Sequence, residues 1–220
     1  MPGDVVDRLR AARLYLILET RPRDRPAAEV VAPALAGGVD VVQLRDKHAG
    51  DEELLAAGRA LRTLCDEHGA LLFVNDRPDL ALGCGAHGVH VGQDDEAVAA
   101  VRERFGDRLA IGLSTHSPAQ VDAAEGSAAD YFAVGPVHET PTKPGCAAVG
   151  LELVRHAAAH AAKPWFAIGG IDGGTAPAVV AAGARRLAVV RAIRDADDPA
   201  AAARELRAAT EREAPVGQAV

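Results

Sequence analysis

The sequence predicts a single-domain α/β protein of the (β/α)8 or TIM-barrel class. Eight short apolar segments recur along the 220 residues, and Ala-rich segments with helical spacing separate them. Strands that alternate with helices form right-handed βαβ units with parallel strands, and eight such units can close into a barrel. The length is near the lower end of the range for that fold and predicts one domain over residues 1–220.

The predicted strands are short segments rich in Val, Leu, Ile and Ala. They cover residues 14–18, 39–44, 71–74, 88–91, 109–113, 131–134, 165–168 and 187–190. A predicted helix over residues 51–68 follows the second strand, and we expect Asp51 to cap its N-terminus. An open doubly wound sheet is the alternative, but that fold usually has a Gly-rich phosphate loop after its first strand. This chain has ETRP there, at residues 19–22.

The composition limits the classes of partner. Hydrophobic residues make up 49% of the chain and aromatic residues 3%, so we expect a core of Ala, Val, Leu and Ile. The net charge of −7 argues against nucleic-acid and anionic-membrane partners, which require a basic surface. No apolar run reaches the roughly 18 residues of a transmembrane helix, and we expect a soluble, cytoplasmic protein with a flexible tail at residues 215–220. The oligomeric state is left open, a homo-oligomer included.

Polar side chains follow the second predicted strand, in the sequence QLRDK at residues 43–47. Active sites of such barrels lie where strands end and βα loops begin. The alternation of side chains along a strand directs Gln43, Arg45 and Lys47 toward one side. Two cations and an amide are therefore predicted to face the mouth of the barrel.

Acidic residues follow the third and fourth predicted strands. Asp76 comes after Asn75, and Asp95 follows the fourth strand. Mg²⁺ in proteins usually binds one or two carboxylates together with water and phosphate oxygens, and we predict a magnesium site at Asp76 and Asp95. Capping of the next helices is the alternative role for these acids, and we favour it for the neighbouring Asp94.

The later strand ends carry further candidates for anion binding. The sixth strand leads into a long polar loop, TPTKPG at residues 140–145, which is either an anion site or an ordinary surface turn. After the seventh and eighth strands, where barrels frequently bind phosphate, lie Gly169, Gly170 and Arg191. His90 and His116 are candidates for proton transfer, since histidine titrates near neutrality. Together these residues imply two anionic groups and one metal.

Seven segments in one chain resemble the thiamine-phosphate synthase family, in the same order. They are QLRDK at 43–47, NDR at 75–77, GVHVGQDD at 88–95, GLSTHS at 112–117, ADYFAVGPV at 129–137, TPTKPG at 140–145 and AIGGI at 167–171. The resemblance implies that 4-amino-5-hydroxymethyl-2-methylpyrimidine diphosphate condenses with 4-methyl-5-(2-phosphoethyl)thiazole to give thiamine phosphate and pyrophosphate. The implied mechanism is dissociative and requires no general base, which argues against catalysis by the two histidines.

The resemblance also implies roles for individual residues. Those expected to bind the substrates or to act on the leaving pyrophosphate come from six strand ends: Gln43, Leu44, Arg45, Asp46, Lys47, Asn75, Ser114, Thr140, Pro141, Thr142, Lys143, Gly170, Val190 and Arg191. Arg45, Lys47, Ser114 and Lys143 are the expected catalytic group. Arg191 departs from the family pattern, in which a serine commonly follows the eighth strand.

Two other functions remain open at the level of sequence. A thiazole tautomerase on the same barrel would need a proton-transfer residue, for which His116 is the candidate. A barrel that only binds thiamine intermediates would need no chemistry. Pyrophosphate release from the two substrates separates the synthase from both.

Overall fold

Eight parallel strands form a closed barrel in the computed structural model, which describes residues 2–140 and 147–211. The strands are β1 (Leu14–Leu18), β2 (Val41–Leu44), β3 (Leu71–Asn75), β4 (Gly88–Val91), β5 (Ala110–Thr115), β6 (Tyr131–Val134), β7 (Trp165–Ile168) and β8 (Leu187–Val189). Each strand pairs with the next in the chain, and β8 closes the barrel by pairing with β1.

Helices surround the barrel and connect successive strands. They are α1 (Pro2–Ala11), α2 (Ala27–Ala36), α3 (Asp51–Glu67), α4 (Pro78–Gly83), α5 (Val98–Phe105), α6 (Pro118–Gly126), α7 (Gly150–His160), α8 (Ala176–Ala181), α9 (Arg191–Arg194) and α10 (Pro199–Glu211). None of the helices in the described ranges has both the length and the apolar character needed to cross a membrane.

The predicted number, order and direction of the strands are confirmed, and their predicted bounds are correct to within two residues. The predicted cap of α3 is wrong. Gly50 is the N-cap residue and Asp51 is the first helical residue. The Asp51 carboxylate accepts two hydrogen bonds of 2.9 Å from the Arg77 guanidinium. The Asp51 side chain is therefore held by Arg77 instead of capping the helix.

The apolar side chains form two cores. The larger one lies between the strands and the helices and is built mainly from aliphatic residues, as the composition predicts. The smaller one fills the barrel, where α1 packs its Leu9. It contains four of the seven aromatic residues of the chain: Tyr15, Phe73, Tyr131 and Phe166. The expectation of an aliphatic core is therefore wrong for the barrel interior, whose width requires large rings.

Gly112 on β5 makes room for this aromatic core. A Cβ atom at position 112 would lie 2.3 Å from the ring of Tyr131 and 2.5 Å from Nδ1 of His90. Such distances are far inside van der Waals contact, and both neighbours are held in the closed barrel. A residue with a side chain would therefore displace the ring or the imidazole.

We predict that Gly112→Ala destabilises the protein by about 1–3 kcal/mol, the usual effect of overpacking a well-filled core. The free energy of unfolding in urea measures the change. Gly126→Ala is the matched control, since a Cβ there meets no atom within 4 Å. Equal stability of the two variants would show that the barrel interior adjusts without strain.

Candidate active site

A cavity of about 590 Å³ opens at the carboxyl ends of the strands. This volume is within the usual range for a small-molecule site. Eleven of the residues predicted to bind substrate or metal line it: Gln43, Arg45, Lys47, Asn75, Asp76, Asp95, Ser114, Thr140, Gly170, Val190 and Arg191. The fold thus brings together residues that are up to about 150 positions apart, because all eight strands end on the same rim.

Two of the predicted residues, Leu44 and Asp46, lie away from the cavity. Strand alternation directs Leu44 outward, where it is buried among the helices. Asp46 accepts hydrogen bonds from the hydroxyl of Thr20 at 2.8 Å and from the backbone N–H groups of His48 and Ala49. The loop after β2 is therefore folded around this carboxylate. Neither residue lines the cavity, and substrate contact by Leu44 and Asp46 stays a prediction from the family resemblance.

Three predicted residues of the long loop after β6, Pro141, Thr142 and Lys143, lie outside the described residues. So does the predicted tail at 215–220. Cys146 is outside as well, whereas Cys65 and Cys84 are buried.

Charged side chains from β2, β3 and β4 form one wall of the cavity. Lys47 Nζ lies 3.9 Å from Oδ2 of Asp76, and Asp76 and Asp95 are in hydrogen-bond contact. Burial first, and the neighbouring Asp95 second, raise the pKa of Asp76 to about 6 against the opposing charges of Lys47 and Arg45. Two carboxylates this close repel each other when both are ionised, and a divalent cation relieves that repulsion.

The two acids do not act as helix caps. Asp76 has a left-handed φ of 60°, a conformation that Asp tolerates better than most residues, and its N–H donates to the carbonyl of His90 at 2.9 Å. The N-cap of α4 is Arg77. Asp95 accepts from the N–H of Gly92 at 2.8 Å. The capping role favoured for Asp94 is wrong as well, since Ala97 is the N-cap of α5.

Glycines and the first residues of α9 form the opposite wall, after β7 and β8. Gly169 and Gly170 have positive φ angles of 105° and 62°, which a residue with a Cβ adopts only with strain. The turn from Val190 into Arg191 begins α9, and the first N–H groups of a helix lack acceptors within it. Backbone N–H groups and a guanidinium therefore line this wall, a combination that suits a phosphate.

Two acids that follow Arg191 closely in the sequence, Asp195 and Asp197, are its alternative partners, but Arg191 forms an ion pair with neither. Asp195 is bound by Arg194, through contacts of 2.8 and 2.9 Å, and Arg194 also binds Glu19. Within the described residues, no carboxylate lies within 4 Å of the Arg191 guanidinium. The side chain is exposed and borders the cavity.

A chain of hydrogen bonds forms the floor of the cavity. Gln43 Nε2 donates to the Tyr15 hydroxyl at 2.8 Å, which lies 2.9 Å from the Tyr131 hydroxyl. Nδ1 of His90 lies 3.0 Å from the Tyr131 hydroxyl, and its Nε2 lies 3.0 Å from Oγ of Ser114. Sequence reasoning missed both tyrosines. Their position could have identified them, because the only two tyrosines of the chain lie in predicted buried strands, where a hydroxyl must find a hydrogen-bond partner.

His116 lines the cavity on the side of β5. Its ring Nδ1 forms a hydrogen bond with the carbonyl of Gly135, so Nδ1 carries the proton. Its backbone N–H donates to Oε1 of Gln120 at 2.7 Å. The Gly135 contact orients the imidazole, and the Gln120 contact holds the backbone of His116.

Comparison with known proteins assigns the family. Residues 14–193 match the family model described as thiamine monophosphate synthase. The chain belongs to the thiamine monophosphate synthase family. The thiamine-phosphate synthase of Mycolicibacterium smegmatis is 52% identical over 214 residues, covering 93% of this chain and 94% of that protein. The one from Saccharopolyspora erythraea is 51% identical over 219 residues, covering 94% and 98%.

A longer relative and one solved structure agree with this assignment. A thiamine-phosphate synthase of Gloeobacter violaceus is 52% identical over 197 residues, and the chain spans 57% of its length. Thiamine phosphate pyrophosphorylase from Pyrococcus furiosus superposes with a TM-score of 0.84 at 36% identity, over 94% of this chain and 98% of that one. A 3-hexulose-6-phosphate synthase, at a TM-score of 0.64 and 24% identity, shares the fold alone. Family membership makes the chain a thiamine-phosphate synthase, a transferase.

The raised pKa of Asp76 predicts a pH-dependent stability in the absence of divalent metal. A carboxyl whose folded pKa lies above its unfolded value near 3.9 stabilises the fold at low pH. That contribution is lost as pH rises through the folded pKa of about 6. We expect Asp76 to contribute a fall of about 1–2 kcal/mol in the free energy of unfolding between pH 4 and pH 6.5 in chelator, after allowance for partial exposure. This contribution is the difference between the pH profiles of the wild-type protein and an Asp76 variant, because burial lowers the pKa of His87 to about 4 and His87 acts in the opposite sense over the same range.

Urea unfolding at several pH values measures this loss. Asp76→Asn should abolish it, whereas Asp94→Asn, an exposed acid of the adjacent turn, should retain it. A loss of the same size in Asp76→Asn would assign the titration to another group.

Proposed function

We propose that the cavity joins an aminopyrimidine carrying a methylene diphosphate to a thiazole carrying a phosphate, with release of pyrophosphate. The observation that supports this best is the presence of two unlike anion-binding walls in one cavity of about 590 Å³. The wall from β2 to β4 has side-chain cations and paired carboxylates. The wall from β7 and β8 has glycines and a helix start.

The diphosphate belongs at the charged wall. Arg45 and Lys47 are oriented into the cavity on alternate positions after β2, with Asn75 and Ser114 beside them. Cations that interact more strongly with the departing pyrophosphate than with the bound substrate raise turnover. Lys143, assigned to the same anion by family resemblance, belongs to this proposal on sequence grounds alone.

The donor set of Asp76 and Asp95 fits Mg²⁺. Two carboxylate oxygens from adjacent strand ends match the one or two that this ion usually takes from a protein when phosphate completes its shell. When bound, Mg²⁺ would neutralise charge on the diphosphate. The left-handed turn at Asp76 and the Gly92 contact of Asp95 hold the two carboxylates side by side.

The chemistry requires positioning and charge stabilisation rather than a base. The bond between the pyrimidine methylene carbon and the diphosphate oxygen breaks, and the electron pair leaves with pyrophosphate. The thiazole nitrogen then uses its lone pair to form the new bond to that carbon. No proton is transferred, in keeping with the engagement of His90 and His116 in internal hydrogen bonds. Within the described residues, the chain contributes orientation and cationic groups.

The reaction itself is the first test. Purified protein with both substrates and Mg²⁺ should yield thiamine phosphate and one pyrophosphate per turnover, measured by chromatography and a coupled phosphate assay. Arg45→Ala should lower turnover roughly 100-fold, the usual cost of removing one transition-state contact. Asp76→Asn and excess chelator should lower it at least as much.

Arg59→Ala is the control, because Arg59 lies on the exposed side of α3 and should leave turnover unchanged. Isomerisation of the thiazole without pyrophosphate would favour a tautomerase. Binding of both substrates without reaction would favour a barrel that binds thiamine intermediates without catalysis.

We further predict that Arg191 serves the thiazole phosphate despite its departure from the family pattern. A guanidinium at this wall can add a charge-assisted contact worth about 1.5–3 kcal/mol. Arg191→Ser should therefore raise the Michaelis constant for the thiazole phosphate about 10- to 100-fold. Binding of the pyrimidine diphosphate should change little.

Arg185→Ser is the matched control, an exposed arginine that precedes β8 at the opposite end of the barrel. An unchanged thiazole-phosphate constant together with a lower melting temperature in Arg191→Ser would assign Arg191 a structural role. The backbone N–H groups would then hold the anion alone.

A further inference from the structure

Five side chains from five strands form the hydrogen-bonded floor of the cavity. They follow the order Gln43 (β2), Tyr15 (β1), Tyr131 (β6), His90 (β4) and Ser114 (β5), with successive distances between 2.8 and 3.0 Å. Tyr131 is fully buried, Tyr15 and Gln43 are 2% exposed and His90 is 7% exposed. The two ends, Gln43 and Ser114, both line the cavity.

The first contact fixes the direction of every proton in this chain. The Tyr15 oxygen accepts from Nε2 of Gln43, so the Tyr15 proton must go to the one other partner that the described residues offer, the Tyr131 hydroxyl. The Tyr131 proton then goes to Nδ1 of His90. The reverse order would leave the buried Tyr15 proton without an acceptor, which is costly. Burial raises the pKa of both tyrosines, so each keeps its proton.

The same direction continues through His90 to the cavity. With Nδ1 acting as an acceptor, a neutral imidazole carries its proton on Nε2 and donates it to Oγ of Ser114. The Ser114 proton is then directed to a further acceptor. At the other end, the Gln43 amide has its Nε2 turned to Tyr15, which leaves Oε1 as the group that accepts. The floor thus presents an acceptor at Gln43 and a donor at Ser114.

We propose that this hydrogen-bond chain fixes which groups of the floor donate and which accept, and that it thereby selects an amino over an oxo substituent on the pyrimidine. This inference rests on the proposed function. The 4-amino group donates to Gln43 Oε1, and Ser114 donates to an acceptor of the same substrate. A pyrimidinone has an acceptor where the aminopyrimidine has a donor. Tyr15, Tyr131 and His90 touch no reacting atom in this scheme and are positioning residues.

Breaking the chain should relax this selectivity. A site built to hydrogen-bond one group usually rejects the wrong one by roughly 10⁴-fold. In Tyr131→Phe the hydrogen-bond link between Tyr15 and His90 is lost. The Tyr15 proton can then go to Oε1 of Gln43, and the Gln43 amide can rotate by 180° and offer Nε2 to an oxo group. We expect the preference for the 4-amino over the 4-oxo pyrimidine diphosphate to fall at least about tenfold, the effect of one mispaired buried group.

The preference is measured in two ways, as the ratio of kcat/KM values and as the ratio of dissociation constants from calorimetry. His90→Gln, which keeps one acceptor and one donor, should retain more of the preference than His90→Leu, which has neither. Phe73→Leu is the packing control. Phe73 contacts the rings of Tyr15 and Tyr131 with centroids 6.2 and 5.1 Å apart but has no polar atom.

The outcomes separate this proposal from the proposed function. A wild-type protein that binds the amino compound selectively but forms no thiamine phosphate would refute the function and leave the polarity intact. Wild-type selectivity in Tyr131→Phe would overturn the proposal. An equal loss in Phe73→Leu would also overturn it, since packing rather than hydrogen bonding would then set the preference.

Discussion

The filling of the barrel interior is the constraint on which the rest of the structure depends. Eight strands that close on themselves enclose a cylinder of fixed width, and the side chains that point inward must fill it without voids. This chain fills it with rings in edge contact: the centroids of Tyr15 and Phe166 are 5.2 Å apart, and those of Phe73 and Tyr131 are 5.1 Å apart. Two of the four rings carry hydroxyls. The packing of the core therefore dictates a buried polar network.

That network connects the core to the cavity. A buried hydroxyl without a partner is costly, and the partners of these two lie one layer higher, on Gln43 and His90. Space for the layer comes from glycines that face the barrel axis, Gly88 against Phe73 and Gly112 against Tyr131 and His90. The residues that hold the core together and those that line the floor of the site are consequently coupled, and a change of volume in one layer alters the hydrogen bonds of the other.

Periodicity was sufficient to predict the barrel, the strand order and the rim on which the polar residues meet. Alternation also identified Gln43, Arg45 and Lys47 as one face. The same rule directs the Leu44 side chain outward, and the Asp46 carboxylate holds the loop after β2. Periodicity could not predict the contact between the two tyrosine hydroxyls. Tyr15 and Tyr131 lie 116 positions apart, on strands that meet only across the closed barrel. The N-cap at Asp51 failed for a related reason: its competitor, Arg77, belongs to another βα unit.

The two walls of the cavity offer an anion different partners, and under the proposed function this difference orients the substrates. Side-chain cations such as Arg45 and Lys47 interact most strongly with the highest charge. The Mg²⁺ proposed for Asp76 and Asp95 would suit a diphosphate better than a monophosphate. The opposite wall offers backbone N–H groups at Gly169 and Gly170, whose positive φ angles allow close approach to one compact anion. A diphosphate at the glycine wall would lose its metal partner, and a monophosphate at the charged wall would leave cations unpaired. The distribution of charge around the rim therefore favours one arrangement of two phosphorylated ligands over its reverse.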